Sequence, residues 1–525
     1  MRRRTAIVAL LLSCGLVGGG ALYVRALRHP VYPPAHVNPQ RTSIGINLAT
    51  LQYWGNDRAL ANLVASGIWK LQEPGYNGAW RSLEPSELNA DATLRSLAPG
   101  YRAHIFLNRP AAPFAKMRIK CTYSGSGTFD ADGFVKVLSR AKQSFEAELR
   151  WSPDMTSRGW ITVSDMPASN PIKNLDCREV TLPRRATFAP EFLAYIKMFS
   201  AVRFLDWQPI NANPARVSWA TVSNPNLSSH IGPDGASVPM MVALANEAEV
   251  DPWFLMPYNA DDTYIRGFAT YVHDHLKLGL VAHVELGNEV WNYGFGATTQ
   301  AQTEGLAAGL SNDGFRALLL RYAQKSNHAM AIWESVFAAE PKRLKRIIAT
   351  QAVCDWCFAH IMEFEDTKAH VDAFAVAAYM GAELNKYSPA TIDQLFADLN
   401  VSAEAVVNRS AKQRAIAAHY GKELLGYEGG QHVVGSDLAF ARQVQADPRM
   451  GMLYTRFLTL WQQRVGERMM LFNSTSGIGD VGAWGLREYA GQAYADAPKL
   501  AAVRTFIAGL RSKRTPAAIQ SNPKQ

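Results

Sequence analysis

The chain has 525 residues, of which 48% are hydrophobic and 10% aromatic, enough to bury a sizeable core in one large domain or several smaller ones. It contains no long low-complexity tract, which excludes a mainly disordered protein. The net charge of +9 comes from Lys and Arg that are scattered apart from clusters near both ends, a surface property and not the concentrated footprint of a nucleic-acid binder.

Met1-Arg-Arg-Arg4 precedes an uncharged stretch from Thr5 to Val24, the pattern of an export signal within residues 1–28. The stretch is long enough to span a bilayer, which favours an uncleaved inner-membrane anchor with the bulk of the chain in the periplasm or beyond. Gly18-Gly-Gly-Ala21 would also suit a signal peptidase, and Leu11-Leu-Ser-Cys14 resembles a lipoprotein cleavage box. All three readings predict an exported protein, the first with N-terminal membrane association. Residues 29–42 carry Pro30, Pro33, Pro34 and Pro39 and read as a linker.

Ile44-Gly-Ile-Asn-Leu48 reads as a buried strand, and Leu60, Leu63 and Val64 suggest a helix from Asp57 to Ser66. From 70 to 182 the texture changes to short alternating segments, such as Tyr101 to Phe106, Phe145 to Leu149 and Trp160 to Val163, between Gly, Pro, Asp and Ser clusters. That is a β-rich module. Cys121 and Cys177 both lie in it and suit a long-range disulfide in an oxidising compartment. Cys354-Asp-Trp-Cys357 allows a local bridge, a redox pair or half a metal site; without a second Cys-x-x-Cys, a structural clip is the simpler reading.

After the module, helical and apolar strand signals alternate. The strands are Val202 to Asp206, Asp251 to Met256, His283 to Gly287, Arg346 to Thr350, Ala373 to Ala378, Glu423 to Tyr427 and Met469 to Phe472. With Ile44 to Leu48 they make eight, so the expected fold is α/β: a (β/α)8 barrel over 43–69 and 183–512, with the β-rich insertion (70–182) after the first βα unit. A doubly wound sheet is the alternative, but no Gly-rich phosphate loop follows any strand. Residues 513–525 read as a disordered tail.

In such barrels chemistry sits at the C-terminal strand ends. Those ends supply Arg203 and Asp206-Trp207 from strand two, Tyr258-Asn259 from strand three, Asn288-Glu289 from strand four, Tyr379 from strand six, Glu428 from strand seven and Trp484 after strand eight. A carboxylate preceded by an amide suits acid catalysis on a sugar. The Asn side chain binds a hydroxyl beside the reacting carbon while the Glu delivers a proton to the leaving oxygen. Glu428, in a strand running into Gly429-Gly430, is its natural partner. Arg203 and Tyr379 are placed to lower the pKa of Glu428, though Arg203 could equally neutralise Glu285. Trp484 offers a face to a pyranose ring, with Trp291 and Trp207 as candidates for neighbouring subsites; for those two, as for Trp219, core packing is the simpler reading. Asp261-Asp262 suits a helix start better than a metal, and neither a metal nor a cofactor is expected.

These strand-end residues resemble those of the large clan of (β/α)8 retaining glycoside hydrolases that includes many cellulases, mannanases and xylanases. The stretch from Asp251-Pro-Trp-Phe254 to Asn288-Glu-Val-Trp-Asn292 also resembles bacterial proteins described as cellulose-binding. The resemblance spans about residues 43 to 510 without the insertion. It implies Glu289 as acid/base, Glu428 as nucleophile, Arg203 as the strand-two Arg, Tyr379 as the aromatic near the nucleophile and Trp484 as a sugar platform. Tyr258-Asn259 depart from it, standing where many members carry a histidine, which leaves the sugar open. The expectation is a retaining hydrolase of a β-linked polysaccharide, with carboxyls about 5–5.5 Å apart. The alternative is a non-catalytic polysaccharide-binding or exopolysaccharide-associated protein on the same barrel.

Overall fold

The computed structural model describes residues 43–75, 78–108, 116–150, 158–479 and 481–512. The export segment, the linker and the C-terminal tail lie outside the described residues. Among the described residues no helix is long and apolar enough to cross a membrane.

Eight parallel strands close into a barrel: Ile44–Asn47, Ala201–Arg203, Asp251–Met256, Ala282–Leu286, Leu344–Ala349, Ala373–Glu383, Glu423–Val434 and Met469–Leu471. Closure is made where Ile44 and Ile46 of the first strand lie opposite Met469 and Leu471 of the last. Strands covered on both faces need apolar side chains throughout, which is why they read as short unbroken apolar runs. Outward residues such as Phe254, Val284 and Phe374 pack under the helices, while Trp253, Ala375, Leu425, Tyr427 and Met470 fill the barrel interior.

The helix Asp262–His275 illustrates the outer layer. Tyr264, Ile265, Phe268, Ala269 and Val272 form one buried stripe at helical spacing. Phe268 meets Phe254 of the third strand edge to face at 5.1 Å. Asp261 caps the helix by accepting from the Tyr264 amide at 2.8 Å, and Asp262 pairs with His328, so the acidic pair serves the helix start.

Between the first strand and the helix Pro190–Ile196, the chain forms two antiparallel sheets. One runs Trp80–Ser82, Trp69–Gln72, Arg102–Phe106, Gly159–Ser164, Thr128–Gly133; the other runs Lys173–Glu179, Lys116–Ser124, Ser144–Arg150, Val135–Ala141. Their facing sides share a core of Leu71, Ile105, Ile119, Phe145, Leu149, Ile161 and Val163. Cys121 and Cys177 sit opposite each other on adjacent strands and are disulfide-bonded, as are Cys354 and Cys357.

The expected helix over Asp57 to Ser66 is absent; only a 3-10 turn, Leu63–Ser66, forms. Its apolar residues serve two different cores, Leu60 the barrel's and Leu63 and Val64 the insertion's, so no single helical stripe can satisfy them. The second strand is also shorter than expected, breaking after Arg203 into a 3-10 turn at Leu205–Trp207.

Candidate active site

Strand four ends abruptly. Gly287 has φ +66° and Glu289 φ +44°, a left-handed conformation unusual for a residue with a Cβ. A Cβ on Gly287 would lie 2.6 Å from Val290 Cγ2, so glycine is required there. The turn leaves Asn288 and Glu289 buried at the barrel mouth, 4% and 7% exposed. One oxygen of Glu289 accepts from Asn292 Nδ2 at 2.7 Å and the other from the Tyr427 hydroxyl at 2.8 Å.

Strand seven reaches the same place by a different irregularity. Val376 pairs with Gly426 and Ala377 with Glu428, so Tyr427 is an extra, bulged residue. The bulge suspends the two-residue alternation: Tyr427 and Glu428 are consecutive, yet both turn towards the mouth. Tyr427 donates to Glu289, while Glu428 accepts from Arg203 Nη1 at 2.9 Å and from the Tyr379 hydroxyl at 2.8 Å.

Arg203 joins the two strands and is fully buried. Beyond Glu428, its guanidinium donates to Asn47 Oδ1 (3.2 Å), Glu285 Oε2 (2.9 Å) and Asn288 Oδ1 (2.8 Å). The two readings of Arg203 are therefore both realised: it serves the interior carboxylate and the candidate nucleophile together. Glu285 also accepts from the Trp253 indole at 3.0 Å.

The electrostatics differ from the expectation for Glu428. Arg203 and Tyr379 do pull its pKa down, but burial outweighs them and the neighbouring Glu289 opposes them, so Glu428 is pushed up to about 8. Burial also raises Glu289, against the hydrogen bonds from Asn292 and Tyr427. Glu285 is raised by burial against Arg203, and Asp206 is pushed up to about 6 by burial. Burial and these carboxylates keep Tyr379 and Tyr427 protonated, hence able to donate.

Of the other expected residues, Trp484 stands beside this group. Its indole N–H meets His432 Nδ1 at 3.1 Å, and Phe472 lies edge-on to both Trp484 and Tyr379. Trp291 packs against the barrel interior, and its indole N–H has no partner among the described residues. Trp207 is 2% exposed, stacked near Phe192 with its N–H taken by the Ala49 carbonyl at 3.1 Å, and it borders a small cavity shared with Asp206 and Asn211. Tyr258 and Asn259 belong to a separate polar cluster. Tyr258 donates to Glu304, and the Asn259 amide to Asn213, Pro214 and Gln300. Among the described residues no group of three or more His, Cys, Asp or Glu is arranged to hold a metal.

The sequence reading missed Tyr427, Asn292, Asn47 and Asn211, the last accepting from Asn288 Nδ2 at 3.0 Å. Asn292 is visible as the end of the Asn-Glu-Val-Trp-Asn motif; Tyr427 is adjacent to Glu428, and regular alternation allows only one of the two on the interior face.

No family model matches the chain, and no curated protein matches it. Solved structures overlap it loosely. The α-L-arabinofuranosidase of Thermotoga maritima, in complex with arabinose, gives a TM-score of 0.38 at 11% identity over 61% of this chain and 64% of its own, so the overlap spans under two thirds of that enzyme. The CBM22-1–GH10 modules of Clostridium thermocellum endo-1,4-β-D-xylanase 10B, with xylohexaose, give 0.36 at 9% identity over 85% and 95%. The β-glucuronidase 2 of Bacteroides uniformis gives 0.35 at 10% identity over 78% and 48%. Overlaps this loose assign no residue a role; the barrel stands on its own strand pairing, and the site on the contacts above.

Proposed function

We propose that the protein is a retaining glycoside hydrolase that cleaves a β-linked polysaccharide by double displacement. The observation that carries this reading is the pairing of two buried carboxyls at the mouth, Glu289 and Glu428, each held by its own donors and each raising the cost of ionising the other. A retaining site needs one carboxyl charged and one protonated. Glu428 has the Arg203 cation and a phenol as donors, whereas Glu289 has only an amide and a phenol, so the first negative charge falls on Glu428. Glu289 keeps its proton, and the Tyr427 hydroxyl is able to turn and accept from it.

In this mechanism Glu428 attacks the anomeric carbon as the proton of Glu289 passes to the leaving glycosidic oxygen. Water, deprotonated by Glu289, then cleaves the glycosyl ester and returns Glu428 as carboxylate. Arg203, Tyr379 and Tyr427 hold the two carboxyls in place throughout.

The test is a panel of β-glucans, mannans and xylans assayed with wild type and Glu428→Gln. Cleavage by wild type and its loss in the variant, with retention of anomeric configuration followed by NMR, is the expected result. Binding without cleavage on every polymer would leave a non-catalytic glycan-binding protein instead. A crystallographic carboxyl separation of about 5–5.5 Å is expected, and one near 9 Å would oppose retention.

A further inference from the structure

The five-stranded sheet of the insertion presents an aromatic face that the barrel chemistry does not use. Cross-strand pairing puts Gln72 opposite Trp80, His104 opposite Thr162 and Phe106 opposite Trp160, all on the side away from the insertion's core. Residues alternating with them, such as Leu71, Ile105, Ile161 and Val163, are buried in that core. On the outer side Trp80 is 42% exposed and lies flat on His104, with ring centroids 4.1 Å apart and planes 8° apart. His104 is fixed from below by Thr162 Oγ1 at 2.9 Å and Gln72 Oε1 at 3.1 Å. Trp160 stands edge-on to Trp80 at 5.5 Å. One face of the Trp80 indole is thus supported by a held imidazole while the other is open.

This face is continuous with the barrel mouth. Phe106 stacks on Tyr53 at 4.5 Å, and Tyr53 and Trp54 belong to the loop that follows the first barrel strand. Trp54 is 49% exposed and edge-on to Tyr53 at 4.6 Å. Asn108, just past the Arg102–Phe106 strand, donates its side-chain amide to the carbonyls of Gln52, Tyr53 and Gly55, fastening the loop to the sheet. Residues 50–52 of the same loop wall a cavity of about 190 Å³ together with Asp206 and Asn211. Asn211 in turn accepts from Asn288, beside Glu289.

We infer that the outer face of the insertion sheet is a glycan-binding platform that holds the distal part of the same polysaccharide whose scissile bond lies at Glu289 and Glu428. The inference rests on the mouth being a polysaccharide site. A pyranose has flat faces of C–H groups and a rim of hydroxyls. It needs an open, rigid indole for its faces and neighbouring polar groups for its rim. Trp80 and Trp54 supply the first, Lys70 and the partly exposed Thr162 the second, and Lys70 is fixed by Ser82 at 2.7 Å. An exposed aromatic patch with a polar border is also the usual mark of a recognition surface.

The test uses the full chain carrying Glu428→Gln, which isolates binding from turnover, in native affinity gels cast with hydroxyethylcellulose, glucomannan or xylan. At least one polymer should retard the protein. Adding Trp80→Ala or Trp54→Ala should weaken that retardation about tenfold, and Trp80→Phe by less. Leu138→Ala, an exposed apolar residue on the other sheet, should leave it unchanged. Unaltered retardation in both Trp variants, or no retardation by any polymer, would overturn the inference. The hydrolase reading fails separately: retardation that depends on Trp80, with no polymer cleaved by wild type, keeps the platform and removes the catalysis.

Discussion

Replacing Arg203 with methionine tests the electrostatic logic of the site. The guanidinium is fully buried and is bonded to both Glu285 and Glu428. Removing it deprives two carboxylates of a charge-assisted hydrogen bond, each contributing about 1.5–3 kcal/mol. The total of about 3–6 kcal/mol overlaps the roughly 3–5 kcal/mol usual for orphaning a buried charge. Part of that cost is avoidable if the carboxyls take up protons, so Arg203→Met should be less damaging in acid. Because Glu428 becomes charged only as pH passes about 8, urea unfolding followed by tryptophan fluorescence should show a loss of about 3–5 kcal/mol at pH 9 and clearly less at pH 5. A loss under about 1 kcal/mol at pH 9, or an equal loss at both pH values, would refute the idea that Arg203 neutralises the buried pair.

The pH dependence of the wild type follows from the same burial. With Glu428 raised from 4.5 to about 8, the folded state binds more protons than the unfolded chain in that window. Its contribution to stability is present below 4.5 and lost as pH rises through about 8, and Glu428→Gln should flatten that slope in melts taken across the window. Gly287→Ala forces a side chain into φ +66° and against Val290, so melts should show a loss of about 1–3 kcal/mol, and turnover should fall with it as Glu289 shifts. Opening the Cys121–Cys177 bridge with Cys121→Ser releases a 56-residue separation, costs about 2–5 kcal/mol, and should expose the insertion to limited proteolysis while the barrel fragment stays intact.

The barrel was legible because strands covered on both faces leave unbroken apolar runs, and the eight runs matched the eight strands in order. Glu289 and Glu428 were legible for a related reason: a carboxylate directly after such a run has nowhere to go but the mouth. What escaped detection depended on features without a compositional mark. The bulge at Tyr427 is a single unpaired residue, and without it Tyr427 and Glu428 would point to opposite faces of the strand. Trp207 follows a strand that ends three residues before its apolar pattern suggests, so most of its side chain turns into the core. The sign of each influence on Glu428 could be read from residue types, but their balance depends on how deeply the mouth is buried, which no local pattern encodes.

The bulge in strand seven also makes the site sensitive to chain length. Loops at the rim of a barrel absorb insertions and deletions easily, whereas position 427 sits inside a strand paired on both sides. Deleting one residue there would restore a regular ladder and swing either the phenol or the carboxyl away from the mouth, removing a support of Glu289 or the charge of Glu428. Tyr427 also receives Asn47 Nδ2 on its carbonyl at 3.0 Å, so its placement is tied to the first strand. Glu289 and Glu428 are thus not separately adjustable parts. They share one register, and divergence at this site would have to proceed by substitution at fixed length.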